Sequence, residues 1–424
     1  MYLFTKQLKT VKNGLKTTLG GKMTSDNKIL LLKELLDENG YIRGPFGSSL
    51  KRNELKAHGI PVYEQQHAIY NSREFRFYID DSKYEQMKRF TIETNDLLIS
   101  CSGTVGKVTL IQETDPKGII SQALLILRAN TNIILPKFLK YFFESKEGYN
   151  SIISRSSGSV QVNIAKRKVI ENIPINGPDI KTQQKIAKIL SAIDDKIELN
   201  NKINANLEEQ TQCYFSSTIS ESKNVQYVTI GNICDVKGGK RLPKGINLIT
   251  TPNSHPYIRV RDLNNTCVAQ LNNSYEFVDN ETQKLISRYT VNSQDVVISI
   301  VGTIGLTAII GNSLNNANLT ENCVKLTNLK QITPEFLLLF LRSKTGQDII
   351  NKSTVGAVQA KLPIKNIQAI QIPLISDNSL NDYLRAIFKN IANNLLENEN
   401  LIQLRDTLLS KLMNGEINVE KIQP

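Results

Sequence analysis

The residues that come nearest to catalytic chemistry are Ser102–Lys107, SGTVGK. A phosphate-cradling loop needs the spacing GxxxxGK and then Ser or Thr for magnesium; this stretch has GxxGK and then Val108. A related stretch, VGTIGL at 301–306, keeps both glycines but has Leu306 where Lys107 stands. The shared element is the pair of glycines, read as a tight turn between two strands. Asp179 and Glu198 could be assembled into a nuclease-like carboxylate pair, but both fall on or beside a long helical stretch, where carboxylates are ordinarily surface charge. No Asp-or-Asn-Pro-Pro-aromatic tetrad for methyl transfer to an amino group is present, and no His/Cys/Ser constellation stands out. The five cysteines are scattered without a CxxC, and so are the three histidines, which argues against structural zinc. The chain therefore reads as non-catalytic by itself, with no metal residue and no cofactor of its own.

What remains is recognition. Loops rich in Gly, Ser, Gln and Lys/Arg occur at matching places in the two halves of the chain. In the first half the candidates are Arg43, Ser48, Ser49, Lys51, Arg52, Gln65, Gln66, Ser102, Thr104, Lys107, Gln122, Ser159, Gln161, Asn163, Lys166 and Arg167. In the second they are Lys237, Lys240, Arg241, Lys244, Arg259, Arg261, Thr303, Gln359 and Lys361. Lys and Arg neutralise phosphates, Gln, Asn and Ser can read base edges, and glycine lets the backbone approach closely. For any one loop an ordinary solvated loop is the competing reading; the argument comes from the repetition.

Two long helical stretches position these loops. Ile180–Ser216 contains no proline or glycine, and Ile186, Leu190, Ile193 and Ile197 fall on one coiled-coil stripe. At about 1.5 Å per residue it is about 55 Å long, too long for one small core to enclose. Asn378–Ile417 repeats the stripe 198 residues later as Leu384, Phe388, Ile391 and Leu395, and Asn200 recurs as Asn398. Two readings stand for these asparagines: a buried seam pair that fixes register, or a solvated turn. The simplest packing for the two stretches is antiparallel, one against the other.

The repeat extends beyond the helices. NDLLISCSGTVGKVTLI (95–111) aligns with QDVVISIVGTIGLTAII (294–310), and FLKYFFESKEG (138–148) with FLLLFLRSKTG (336–346). The chain is thus two copies of one unit of about 200 residues, which makes two domains and not a solenoid. Each copy opens with a mixed segment, Arg43–Lys51 or Val236–Gly245. Short strands follow, expected at Glu74–Ile79, Asp96–Ser100 and Ile119–Leu127, and at Tyr257–Val260 and Val296–Ile300. Then come a proline-led helix (Pro136–Ser145; Pro334–Ser343), a polar basic stretch (Ser154–Lys168; Lys352–Lys365) and a last strand (Ile170–Ile175; Ile367–Leu374). The division is an N-terminal extension at 1–29, a domain at 30–178, a spacer helix at 179–222, a domain at 223–376, and a helix with a tail at 377–424. Residues 1 to about 29 have no counterpart in the second copy, and Lys6, Lys9, Lys12 and Lys16 share one helix face there, ordinarily a solvated surface.

At 424 residues the chain can bury two or three cores, and its net charge of +12 with pI near 9.3 favours a polyanionic partner. No apolar run is long enough for a membrane span or a signal peptide, so a cytoplasmic, non-membrane protein is expected.

RGPFGSSLKRNELKAHGIPVYEQQHA, LISCSGTVGKV, GSVQVNIAKRKVIENIPI and IKTQQKIAKILSAIDDKIE, followed by YVTIGNICDVKGGKRL and LRDTLLSKLMNGEI, resemble the specificity subunit of Type I restriction–modification systems. The resemblance covers about residues 35 to 417 in the family's own order. It implies an α+β fold: two tandem, pseudo-repeated target-recognition domains separated by two long helices that form an antiparallel coiled coil. It implies a non-catalytic subunit that binds double-stranded DNA, two modification (methyltransferase) subunits and two ATP-dependent restriction subunits. S-adenosylmethionine, ATP and magnesium would belong to those partners. Gly44–Leu50 with Gly103–Gly106, and Gly238–Arg241 with Gly302–Gly305, match the family's recognition stretches; Ile180–Ser216 and Asn378–Ile417 match its docking helices. The second helix departs from the pattern, with SLNDYLRAI where a glutamine-rich opening is usual. A coiled-coil adaptor with incidental positive charge, and a nuclease, are the rival classes. Sequence-specific duplex binding separates the first from this reading, and cleavage with magnesium alone the second.

Overall fold

The computed structural model describes residues 28–46, 49–156, 162–222, 225–264, 266–356, 359–375 and 378–419. Residues 1–27, with the lysine face expected there, lie outside this set. The chain divides into two compact units, 1–195 with 402–424, and 196–401, so each unit takes part of both long helices.

In the first unit Leu36–Arg43, Leu124–Ala129, Leu97–Ser100 and Val108–Leu110 form an antiparallel sheet in that order. A second sheet joins Tyr78–Ile79, Ile60–Tyr63 and Ile119–Ile120, the last two parallel. The run Leu124–Leu127 is buried at every position, as are Leu97–Ser100, which shows that both faces of these strands are covered and explains continuous apolar runs instead of alternation. Pro136–Glu144 is a helix that sinks Phe138, Leu139, Phe142 and Phe143 into the core. It stops at Ser145, whose hydroxyl oxygen accepts from Gly148 N at 3.1 Å and starts the helix Lys146–Ile153.

The second unit repeats this plan. Asp235–Gly238, Cys323–Thr327, Val296–Ser299 and Thr307–Ile310 form the equivalent sheet, extended by Val268–Ala269. Glu276–Phe277, Pro256–Ile258 and Asn318–Leu319 form the equivalent second sheet. A two-stranded ribbon closes each unit, Lys28–Leu31 with Pro174–Gly177 and Gln226–Thr229 with Gln371–Leu374. Residues 28 and 29 therefore belong to the first domain, not to the extension.

Four local expectations change. Ile170–Ile175 and Ile367–Leu374 are each split into a short helix (Arg167–Glu171; Ile364–Ala369) and a strand, because a short buried apolar run satisfies either period. Ile119–Leu127 breaks at Ser121 into strands of two different sheets. Of Glu74–Ile79, only Tyr78–Ile79 is a strand.

The first long helix runs Ile180–Glu221 and the second Asn378–Met413. The second ends before Ile417 because Gly415, at φ 70°, takes the left-handed conformation that terminates helices. Within the second unit the helices are antiparallel: Asn200 faces Asn398, Asn204 faces Asn394, and Tyr214 meets Tyr383. The asparagines lie in a buried seam and not in a solvated turn. Asn200 Nδ2 donates to Asn398 Oδ1 at 2.9 Å, Asn398 Nδ2 to Asn201 Oδ1 at 2.8 Å, and Lys196 Nζ to Asn200 Oδ1 at 2.7 Å. In the first unit Asp194 accepts from Tyr141 Oη at 2.7 Å and from Arg405 at 3.2 Å.

Four of the five cysteines are buried and only Cys213, on the first long helix, is exposed. Burial pushes the Cys101 and Cys234 thiols up to about 12, out of thiolate range near neutral pH. Iodoacetamide at neutral pH is expected to add to one thiol in the native chain and to five in guanidinium, read by intact mass. Rapid addition to a second native thiol would contradict the packing.

Candidate nucleic-acid interface

The glycine turn is a hairpin connection whose geometry recurs in both units. Ser100 Oγ accepts from Lys107 N at 2.9 Å, and Ser299 Oγ from Leu306 N at 2.9 Å. Gly106 and Gly305 have φ of 84° and 87°, a conformation that side chains with a Cβ resist, so the glycines follow from the turn and not from a phosphate. The turn is docked on the polar basic stretch. Gly103 N donates to Val162 O at 2.8 Å, Ile164 N to Cys101 O at 2.9 Å, and Ser102 Oγ to Asn163 Oδ1 at 2.9 Å. In the second unit Leu362 N donates to Ile300 O at 3.0 Å, and Val301 bridges to Lys361. Two loops about 60 residues apart in sequence thus make one surface in each unit.

A second contact joins two more loops. A Cβ on Gly44 would lie 2.0 Å from Ser121 O, and one on Gly239 would lie 2.1 Å from Thr320 O. Only glycine lets the basic loop cross that backbone, which sets Gln122 beside Gly44 and Thr320 beside Gly239.

In the first unit these contacts surround a groove of about 580 Å³ lined by Tyr41, Arg43, Phe46, Arg89, Asn163, Lys166 and Arg167, among others. The Arg43 guanidinium lies 5.7 Å from the Phe46 ring centre and that of Arg167 5.1 Å from the Tyr41 ring. Arg167 also pairs with Glu171 at 2.7 Å. Burial pushes the Tyr41 phenol up to about 12, so it is a neutral donor there. The groove therefore gathers Arg43, Asn163, Lys166 and Arg167 from the sequence candidates and adds Arg89. The signal for Arg89 was available: MKRFT (87–91) and ISRYT (286–290) place Arg89 and Arg288 at the same point of the repeat.

The other first-unit candidates spread around this groove. Thr104 and Lys107 are exposed on the turn, Lys107 over the Tyr149 ring at 5.1 Å. Ser49, Lys51 and Arg52 are exposed beyond Phe46, and Gln122 is exposed beside Gly44. Gln65 and Gln66 open the helix Gln65–Tyr70 and are half-buried. Ser48, Ser159 and Gln161 lie outside the described residues.

In the second unit Lys240, Lys244, Thr303, Gln359 and Lys361 are exposed, with Lys240 5.5 Å from the Tyr289 ring. Four cations are tied to carboxylates. Lys237 pairs with Asp235 at 3.0 Å, Arg241 with Glu321 at 2.7 Å, Arg261 with Glu276 at 3.3 Å, and Arg259 with Glu276. Arg259 is half-buried and occupies the place of Glu64 in the first unit, which pairs with Arg76 at 2.7 Å. The two pairs reach the edge strand one register step apart, so they are analogous and not equivalent, and Arg259 is tied to Glu276 instead of facing outward. Burial works to raise the Glu321 carboxyl, but the Arg241 hydrogen bond and its neighbours outweigh that and hold it below the usual range.

The helix residues expected at partner contacts are placed differently. Ile186, Leu190, Ile193, Leu384, Phe388 and Ile391 are buried within the chain, and Ile197 and Leu395 are half-buried. The chain itself covers them, with Leu384, Phe388 and Ile391 in the core of the second unit, so a protein docking on these helices meets other faces. No group of His, Cys, Asp or Glu among the described residues could hold a metal ion, and no helix among them is long and apolar enough to cross a membrane.

Fold and surface together define a twice-built α+β recognition protein in which each copy puts a basic, amide-rich surface beside a glycine turn. The chain belongs to the family of the Type I restriction modification DNA specificity domain, which matches residues 41–209 and 222–404. It is 26% identical over 435 residues to the putative type I restriction enzyme MjaX specificity subunit of Methanocaldococcus jannaschii, covering 96% of this chain and 97% of that one. It is 23% identical over 389 residues to the HindI specificity subunit of Haemophilus influenzae, covering 70% and 81%. Among solved structures, the S subunit of a Type I restriction–modification system from M. genitalium superposes with a TM-score of 0.54 at 17% identity, over 94% of this chain and 98% of that one. That likeness shows the fold: two tandem domains and the long helices of an antiparallel coiled coil.

Proposed function

We propose that this chain is the non-catalytic DNA-specificity subunit of a Type I restriction–modification complex. Each domain reads one half of a bipartite, asymmetric target, and the long helices set the spacing and dock two modification subunits by faces away from the seam. Two ATP-dependent restriction subunits complete the assembly in the cytoplasm, with S-adenosylmethionine, ATP and magnesium held by the partners. The observation that carries this reading is the repeated surface: the same turn-and-basic-loop junction is built twice, on loops whose side chains have diverged. A common frame with different reading side chains suits two different half-sites.

Co-expression with a cognate modification subunit, followed by methylation mapping of genomic DNA, tests it. The expected result is one split motif with a fixed gap. Exchanging residues 28–178, the domain with its whole first strand, for that of another family member should change one half-site and leave the other. Methylation that is scattered, or an exchange that alters both halves, would refute the assignment of one half-site per domain.

A further inference from the structure

Arg241 and Glu321 occupy the rim where the glycine-gated loop crosses the end of the strand Asn318–Leu319. The pair is fixed from both sides. Gly239 N donates to Cys323 O at 3.0 Å and Lys240 N to Leu319 O at 2.8 Å, while Thr320 Oγ1 donates to Glu321 Oε2 at 3.0 Å. The side chain of Arg241 is 80% exposed and that of Glu321 is 30% exposed. An exposed ion pair adds little to stability, so folding alone gives little reason for a carboxylate here. The corresponding place in the first unit, two residues past the strand Ile119–Ile120, holds the neutral Gln122. Arg43, Arg52, Arg89 and Lys166 of the first unit make no ion pair among the described residues, whereas Arg241 is already neutralised.

Resting on the DNA-reading function above, we propose that Glu321 is a specificity-determining residue: it competes with DNA phosphates for Arg241 and releases that arginine only where the correct half-site offers both partners. A guanine edge accepts from arginine, and a cytosine amino group donates to glutamate, so a matched G·C step satisfies the pair; a phosphate satisfies the arginine but repels the carboxylate. Arg241 then contributes little to binding of unrelated DNA, which is left to cations without a carboxylate partner among the described residues, such as Arg43, Arg89 and Lys166 of the first domain and Lys240 and Lys244 of the second.

The test uses the full chain copurified with its modification subunit, and two duplexes, one bearing the mapped motif and one scrambled. E321Q is expected to tighten binding of the scrambled duplex and to steepen the slope of log K against log salt by about 0.9, one extra phosphate contact. Discrimination between the duplexes should fall. In an R241Q background the same E321Q change should give a much smaller gain, the relief of carboxylate–phosphate repulsion alone, because most of the effect runs through the arginine. Unchanged scrambled-duplex binding in E321Q, or an equal gain in both backgrounds, would overturn the proposal, the second outcome reducing Glu321 to simple like-charge repulsion. If neither E321Q nor neutralisation of Arg43, Arg89 and Lys166 alters binding to either duplex, the DNA-contact assignment itself has failed.

Discussion

Asp96→Ala is expected to cost the first domain about 3 kcal/mol, the lower end of the range for breaking a buried ion pair, because Arg128 is partly exposed and keeps Glu93 Oε1 at 2.7 Å. Asp96 is fully buried, and its two oxygens take Arg128 Nε and Nη2 at 2.8 Å each, with Glu93 N at 2.7 Å. The guanidinium loses a bidentate partner, and Glu93 N loses its acceptor at the start of the strand Leu97–Ser100. The second domain carries a looser version. Asp295 takes Asn292 N at 2.8 Å but is 3.7 Å from Lys325 Nζ, which has its own bond to Thr290 O at 2.6 Å. Asp295→Ala should therefore cost less, about 2 kcal/mol, because one backbone donor is orphaned while the lysine keeps a partner. Calorimetry that resolves the two domains as separate transitions checks this. Equal losses in both, or a shift in the wrong transition, would refute the energetic ordering.

Neutralising Arg43, Arg89 and Lys166 together to Gln should weaken binding to any duplex by about a hundredfold or more and flatten the salt slope by roughly 0.9 per residue. These three line one groove and make no ion pair among the described residues, so no internal carboxylate has to be displaced before they meet phosphate. The loss should fall equally on target and scrambled DNA, since phosphate contacts position without specifying. Fluorescence anisotropy over a salt series reads both quantities. A loss confined to the target duplex would instead make them base-reading residues.

The architecture was legible for physical reasons. A repeat of about 200 residues that preserves glycines, strand runs and helix stripes can only be two copies of one fold. The stripe Leu384–Leu395 and its partner stripe had to be buried somewhere, because a long amphipathic helix exposes too much apolar surface alone. The failures were local. Ile170–Ile175 was ambiguous between periods, and Arg259 looked like an outward cation because its Glu276 partner lies 17 residues on, across a strand pairing.

The candidate surface was only half legible. Sequence alone established two diverged copies, a basic excess, loops of suitable chemistry and the absence of a recognisable catalytic constellation, because composition, period and spacing are properties of the chain itself. Only the tertiary structure joined Ser102 to Asn163 and the 301 turn to Lys361, brought Arg89 into the groove, and paired Arg241 with Glu321. Those are contacts across about 60 to 80 residues, set by strand order and by two glycines that allow backbones to cross. Which cation meets solvent and which meets a carboxylate is decided by that packing, and charge counting cannot supply it.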